Sequence, residues 1–332
     1  MRPLQRLRWL LGLAILLLPL MRIAPVSVAE PTPMKVGISE AVNTVLAIWM
    51  AEAAGLYAAN GIKPEIINMS GGSRGAAELA AGRLDAMHVG LSSVIRLNRT
   101  GGDLRVVAAL ANVIRFTFFS GPGVRTAADL KGGVVGISSF GSETDSTVTL
   151  ALQRLGLTRS DVTLKEYGGG PRRIAALKAG ELKATAVNEP VSSMAREQGV
   201  HVLVDLVPER IPWLFTAIVV KRSAIEGQRD LLTRFIQATA EGNYLALADE
   251  MRAKAVLAEK ANIRDPKILD ISYDDFKALS PPNIEPTKAA AENILAQFPD
   301  ASRKLDDYVD TSILDALRKD GVLTALQQKY KR

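Results

Sequence analysis

The chain has no cysteine among its 332 residues, which excludes disulfides, thiolate-bound metals, a cysteine nucleophile and a lipid-modified N-terminal cysteine. It has only two histidines, His88 and His201, too few for a multi-histidine metal centre. His88 lies in an apolar strand pattern and reads as a core residue; His201 reads as surface. Aromatic residues make up 5% of the chain, and the basic residues are scattered without aromatic interleaving, so no nucleic-acid partner is expected. Nucleotide signatures are missing as well. Gly168-Gly169-Gly170 is followed by no Lys-Ser/Thr, and no GxGxxG follows a strand pattern. Serines are plentiful, but a serine nucleophile would have only the two histidines as bases, so catalysis has little support. No cofactor and no metal are expected.

What is present is ordinary globular composition, 48% hydrophobic and 23% charged, at a length that suits two domains. The formal charge of +6 is concentrated at the start. Arg2, Arg6 and Arg8 precede thirteen uncharged residues from Trp9 to Met21, and Ser27-Val28-Ala29 is a small-x-small cleavage pattern. Residues 1–29 read as a secretory signal peptide; Arg22 leaves an uncleaved anchor as the alternative. Without those residues, and their four arginines, the charge falls to about +2. An exported, nearly neutral protein is expected.

The chain repeats itself. Val-Gly-Ile-Ser occurs at 36–39 and again at 135–138. The nineteen residues 71–89 align without a gap on 169–187, matching Gly71/Gly169, Gly72/Gly170, Arg74/Arg172, Gly82/Gly180 and Leu84/Leu182 among others. Each copy reads as strand, helix, strand, helix, strand, with Gly82 and Gly180 as helix C-caps. That alternation predicts parallel or mixed sheets with helices on both faces, one sheet in each of two α/β lobes. The apolar runs 115–121 and 214–222 would carry the chain into the second lobe and back, forming a two-strand hinge with a cleft between the lobes. Lobe one is expected at 30–117 and 219–332, lobe two at 118–218. The helical pattern from 229 to 263 is expected to break at Gly242.

Polar residues gather where each predicted strand meets a helix, the place where open α/β sheets bind ligands. Lobe one offers Ser39, Glu40, Asn43 and Thr44; then Ser70, Gly71, Gly72 and Ser73; then Ser92 and Ser93. Lobe two offers Ser138, Gly141, Ser142, Glu143 and Thr144, then Asn188 and Glu189. One hydroxyl per helix would be an N-cap; clusters in both lobes point to a ligand as well. Trp213 could cover that ligand or pack in the hinge. Arg74 and Arg172, just after the paired glycines, read as solvated or ion-paired, and Asp274-Asp275 and Asp306-Asp307 as solvated surface.

The stretch 34–90, with "AEAAGLYAANGI", "SGGS" and "LAAGRLDA", resembles the first half of periplasmic binding proteins for nitrate, aliphatic sulfonates and taurine. Further matches are "DLKGGVVGISSFGS", "LKAGELKATAVNEP" and "FTAIVVKRS", so the resemblance covers roughly 35–245. It implies a two-lobed class II binding-protein fold that serves an ABC importer. The ligand would then be held by the loops around Ser39–Thr44, Ser70–Ser73 and Ser92, and around Ser138–Thr144 and Asn188–Glu189. The expected ligand is a small anion of the sulfonate, taurine, nitrate or carboxylate class, the expected partner an inner-membrane permease, and the expected state a monomer. A secreted hydrolase or lyase using the same cleft and a sensory ligand-binding protein are the alternatives.

Overall fold

The computed structural model describes residues 30–302 and 304–331; the segment read as a signal peptide lies outside the described residues. Ten strands run β1 Thr32–Ile38, β2 Ile62–Asn68, β3 Ala86–Val89, β4 Leu104–Val113, β5 Thr117–Ser120, β6 Val134–Ile137, β7 Thr163–Glu166, β8 Ala184–Val187, β9 His201–Asp205 and β10 Pro212–Lys221. They form two five-stranded sheets, ordered β2-β1-β3-β10-β4 and β7-β6-β8-β5-β9. The two repeat units supply equivalent parts of each: β1 pairs in parallel with β2 and β3, and β6 with β7 and β8.

Neither sheet is purely parallel. β10 runs antiparallel to β3 and β4, and β5 runs antiparallel to β8 and β9. The cause is topological. Each antiparallel strand is the one that has just crossed from the other sheet, so it enters from the opposite end. Residues 114–116 make the first crossing and 206–211 the second. The crossings hold one another through Ile114 N–H to Ile211 O at 3.1 Å and Leu206 N–H to Phe116 O at 3.3 Å.

The inner strands β3, β5 and β8 are buried along their whole length, as strands covered on two faces must be, whereas the edge strands β7 and β9 are largely exposed or half-buried. Leu46–Ala53 is apolar around its circumference and sinks into the core between sheet one and the twenty-residue helix Arg229–Ala248. Each large aliphatic side chain buried there contributes about 2 kcal/mol.

Gly242 does not interrupt that long helix, which continues to Ala248. Its function is clearance: a Cβ at 242 would stand 2.4 Å from the carbonyl oxygen of Ala47 and 2.8 Å from Cβ of Ala51. The two helices touch backbone to backbone, and this close approach outweighs the roughly 1 kcal/mol helix penalty of glycine. Among the described residues no helix is long and apolar enough to cross a membrane.

Candidate functional site

The C-terminal ends of β1 and β3 in sheet one and of β6 and β8 in sheet two converge on one inner cavity, with about 40 Å³ of room for water-sized groups. Eight of the residues expected from the sequence line it: Ser39, Glu40, Gly72, Ser138, Ser142, Glu143, Thr144 and Asn188. Val42, Val89, Phe116 and Phe215 supply apolar walls, the two phenyl rings edge to face at 5.0 Å. Thr216 adds a buried hydroxyl that has no partner. A larger hollow of about 750 Å³ shares Glu40 and Val42 with it and is lined by Ser70, Arg74, Tyr167 and Arg172.

The turn between β6 and the helix Glu143–Arg154 does two jobs. Ser142 caps the helix Glu143–Arg154 by accepting from Asp145 N–H, and also takes a hydrogen bond from Ser138 Oγ at 2.9 Å. Ser138 Oγ lies 3.2 Å from Thr144 Oγ1. Glu143, at the first helical position, reaches across to sheet one. Its Oε1 accepts Ser92 N–H at 2.7 Å and its Oε2 accepts Trp213 Nε1–H at 2.7 Å. Burial pushes its carboxyl up to about 7 against those two donors and the nearby Arg96, which favour the ionised form. Trp213 is therefore behind Glu143, 1% exposed, and does not line the cavity.

A second carboxylate bridges the sheets in the other direction. Glu40 Oε2 accepts Gly170 N–H at 3.0 Å, and its Oε1 pairs with Arg173 Nη1 at 3.1 Å. Arg173 is fully buried and also donates to Gly168 O and Ala186 O. Sequence reasoning did not single it out; it named only the exposed neighbour Arg172, and read that as solvated or ion-paired.

The other expected residues sit around this centre. Gly71 donates its N–H to Ser39 O at 2.9 Å. Ser73, Ser93 and Gly141 line a shallow hollow beside Arg96, with Ser93 Oγ donating to Gly141 O at 3.3 Å. Thr44 Oγ1 and Ser39 Oγ flank the buried His88, 3.2 Å from Nε2 and 3.4 Å from Nδ1; burial lowers that imidazole to about 4, so it is neutral. Residues 71–75 spell GxSxG, but His88 contacts Ser39 and Thr44 and not Ser73, so no nucleophile–base pair forms there.

Asn43 and Glu189 do not line the inner cavity. Asn43 Nδ2 donates to Ser272 O and to Asp275 Oδ2 at 2.9 and 2.7 Å. Glu189 accepts from Ser192 and Ser193, and burial raises its carboxyl. Asp275, read as solvated from the sequence, is 12% exposed and faces Arg115 Nη1 at 3.3 Å. Arg115, on the first crossing, is itself buried, and the Asp275 carboxylate offsets part of that burial. The doublet Asp274-Asp275 looked like surface because both residues are charged; its helix, Pro266–Leu279, buries Ser272, Tyr273 and Phe276, and of the two only Asp275 turns toward the crossing.

Two mixed sheets joined by two crossings around a polar cavity make the fold of the periplasmic binding proteins. The nitrate-binding protein NrtA from Synechocystis PCC 6803 superposes with a TM-score of 0.75 at 16% identity, over 90% of this chain and 91% of that one. The alkanesulfonate-binding protein SsuA from Xanthomonas axonopodis pv. citri, bound to MOPS, superposes with a TM-score of 0.67 at 19% identity, over 81% and 92%. The chain belongs to the NMT1/THI5-like family, whose model matches residues 43–253. It is also similar to the riboflavin-binding protein RibY of Chloroflexus aurantiacus, 30% identical over 242 residues, 68% of this chain and 67% of that protein.

Proposed function

We propose that the protein is the solute receptor of an ABC importer. It would work in the periplasm after removal of residues 1–29, capture a small polar solute in the cavity between the two sheets, and deliver it to an inner-membrane permease. The observation that carries this is the convergence of polar junctions from both repeat units on one cavity, with Glu40 and Glu143 each held by donors of the opposite sheet. Lobes 30–117 with 219–332 and 118–218 would rotate about the crossings, and closure would bring the second set of donors onto the solute. The ligands in the names of the relatives, nitrate, sulfonate and riboflavin, set the range of candidates. An anion would have to be held by hydroxyls, the Asn188 amide and backbone N–H groups, because among the described residues neither Lys nor Arg lines the inner cavity.

A secreted enzyme is the second reading, favoured by the single carboxyl raised to about 7 in the cavity. It lacks a second acid or base beside it: Glu189 is raised too but does not line the cavity. Small-angle scattering with and without a panel of oxyanions, pyrimidines and flavins tests the receptor reading. A ligand that shrinks the particle and is recovered unchanged supports it. Chemical conversion of that ligand supports the enzyme, and a particle indifferent to every probe sinks the receptor.

A further inference from the structure

The inner cavity is acidic. Among the described residues two carboxylates line it, and no cationic side chain does. Glu40 is neutralised by Arg173 and by Gly170 N–H. Among the described residues Glu143 has no ion pair; the other charges around it are Glu40 with Arg173, and Asp145, which pairs with Arg159 and has the Arg96 guanidinium 3.8 Å away.

The donors that would serve an anion are also taken. Helix Leu91–Asn98 points its N-terminal end at the cavity, the usual arrangement for an oxyanion. Here its Ser92 N–H is bonded to Glu143 Oε1, and the Trp213 indole N–H, the other donor from sheet one, is bonded to Oε2. The protein's own carboxylate sits where an anionic ligand would bind. Each of its oxygens has accepted one hydrogen bond, which leaves acceptor capacity facing the cavity. The Thr216 hydroxyl, 5% exposed and unpartnered, lines the same space, and Asn188 can donate or accept.

We infer that the inner cavity receives a hydrogen-bond-donating, uncharged or cationic part of the solute, an amide, amine or ring N–H, and that Glu143 is the residue that rejects small oxyanions. This rests on the receptor reading and deepens it. An oxyanion about 5 Å from an ionised Glu143 loses affinity on the order of 10²-fold by like-charge repulsion in a partly desolvated site. The same lining has the acceptors that a donor group needs and cannot leave unmet once buried.

The test is calorimetric titration of the protein at pH 8 with nitrate, ethanesulfonate, uracil and riboflavin, repeated with Glu143→Gln. Heat and saturation are expected with uracil or riboflavin and none with the two oxyanions. In the variant the ratio of oxyanion to donor affinity should rise at least tenfold. Because the variant loses an acceptor for Ser92 or Trp213 and could fold poorly, the native protein is also titrated at pH 6. There, protonation of Glu143 should make any oxyanion binding stronger than at pH 8. Oxyanion binding at pH 8 that is unchanged by Glu143→Gln would overturn the inference and leave the receptor standing. An oxyanion affinity in the native protein that is equal at pH 6 and pH 8 would do the same. Silence from all four probes would overturn both.

Discussion

Position 75 holds a glycine and its repeat partner, position 173, an arginine. The backbone does the same thing at both, the fourth residue of a helix that starts at a glycine and has another just past its C-cap. In the first copy the position is pressed against Met87, so tightly that a Cβ would stand 2.1 Å from its methyl carbon. In the second the guanidinium is fully buried and crosses to Glu40 of the first copy. The turn after the shared Val-Gly-Ile-Ser diverges in the same way. Thr44 stays at home on His88, while Glu143, equally far along, reaches over to Ser92 and Trp213. The two halves agree wherever the chain has to turn and differ where they face each other. The second half supplies the long charged arms, and the first supplies a carboxylate and backbone donors to meet them.

The largest expected effect breaks that asymmetry at Arg173. Arg173→Ala removes three hydrogen bonds and leaves Glu40 half-buried with Gly170 N–H alone, which should cost about 3–5 kcal/mol. Arg172→Ala, one residue earlier and exposed, should change stability by under about 0.5 kcal/mol. Denaturant melts of the pair decide the point; equal losses would mean that burial of Arg173 carries no special role.

The next effect sets His88 against Glu143, one buried titratable group from each half. His88 is lowered by burial from 6.5 to about 4, so its contribution is present above its unfolded value and is lost as pH falls through 4. Glu143 is raised by burial from 4.5 to about 7, so its contribution is present below its unfolded value and is lost as pH rises through 7. Their slopes oppose each other between about pH 4.5 and 6.5. Glu143→Gln should leave a protein whose stability climbs with pH over that window, and His88→Gln one whose stability declines. Each should differ from the native curve by up to roughly 3 kcal/mol across the window. Subtracting native from variant melts cancels the raised Glu189. Parallel curves for native and variant would mean that neither group is buried as described.

The sheets, the repeat and the polar junctions were legible because they are local: alternation, glycine stops and hydroxyl caps are written within a few residues of where they act. Eight junction residues reached the inner cavity for that reason. The charged bridges were not legible. Arg173 and Glu40 are separated by 133 residues, and Asn43 and Asp275 by 232. Nothing in the neighbourhood of Arg173 separates it from Arg172, or Asp275 from Asp274; only the fold decides which of each pair turns inward. One trace did exist. Gly75 and Arg173 occupy one repeat position, and a site that is glycine in one copy and arginine in the other cannot have the same surroundings in both.

The smallest effect sharpens the comparison where the copies agree. Gly82 and Gly180 close the two equivalent helices with φ of +75° and +79°, and a Cβ at either would meet nothing within 4 Å. With no neighbour to strike, the whole cost of Gly82→Ala or Gly180→Ala is that of forcing a side chain into the left-handed region, about 1 kcal/mol. That cost should be the same in both halves, because it depends on the backbone and on nothing the halves do differently. Thermal melts should show two small, equal drops in midpoint, and the double variant their sum, since the sites share no partner. If one glycine proved far costlier than the other, or the two failed to add, the helix ends would be coupled to the diverged faces. The division between a shared backbone and a divergent cleft would then be wrong at its simplest point.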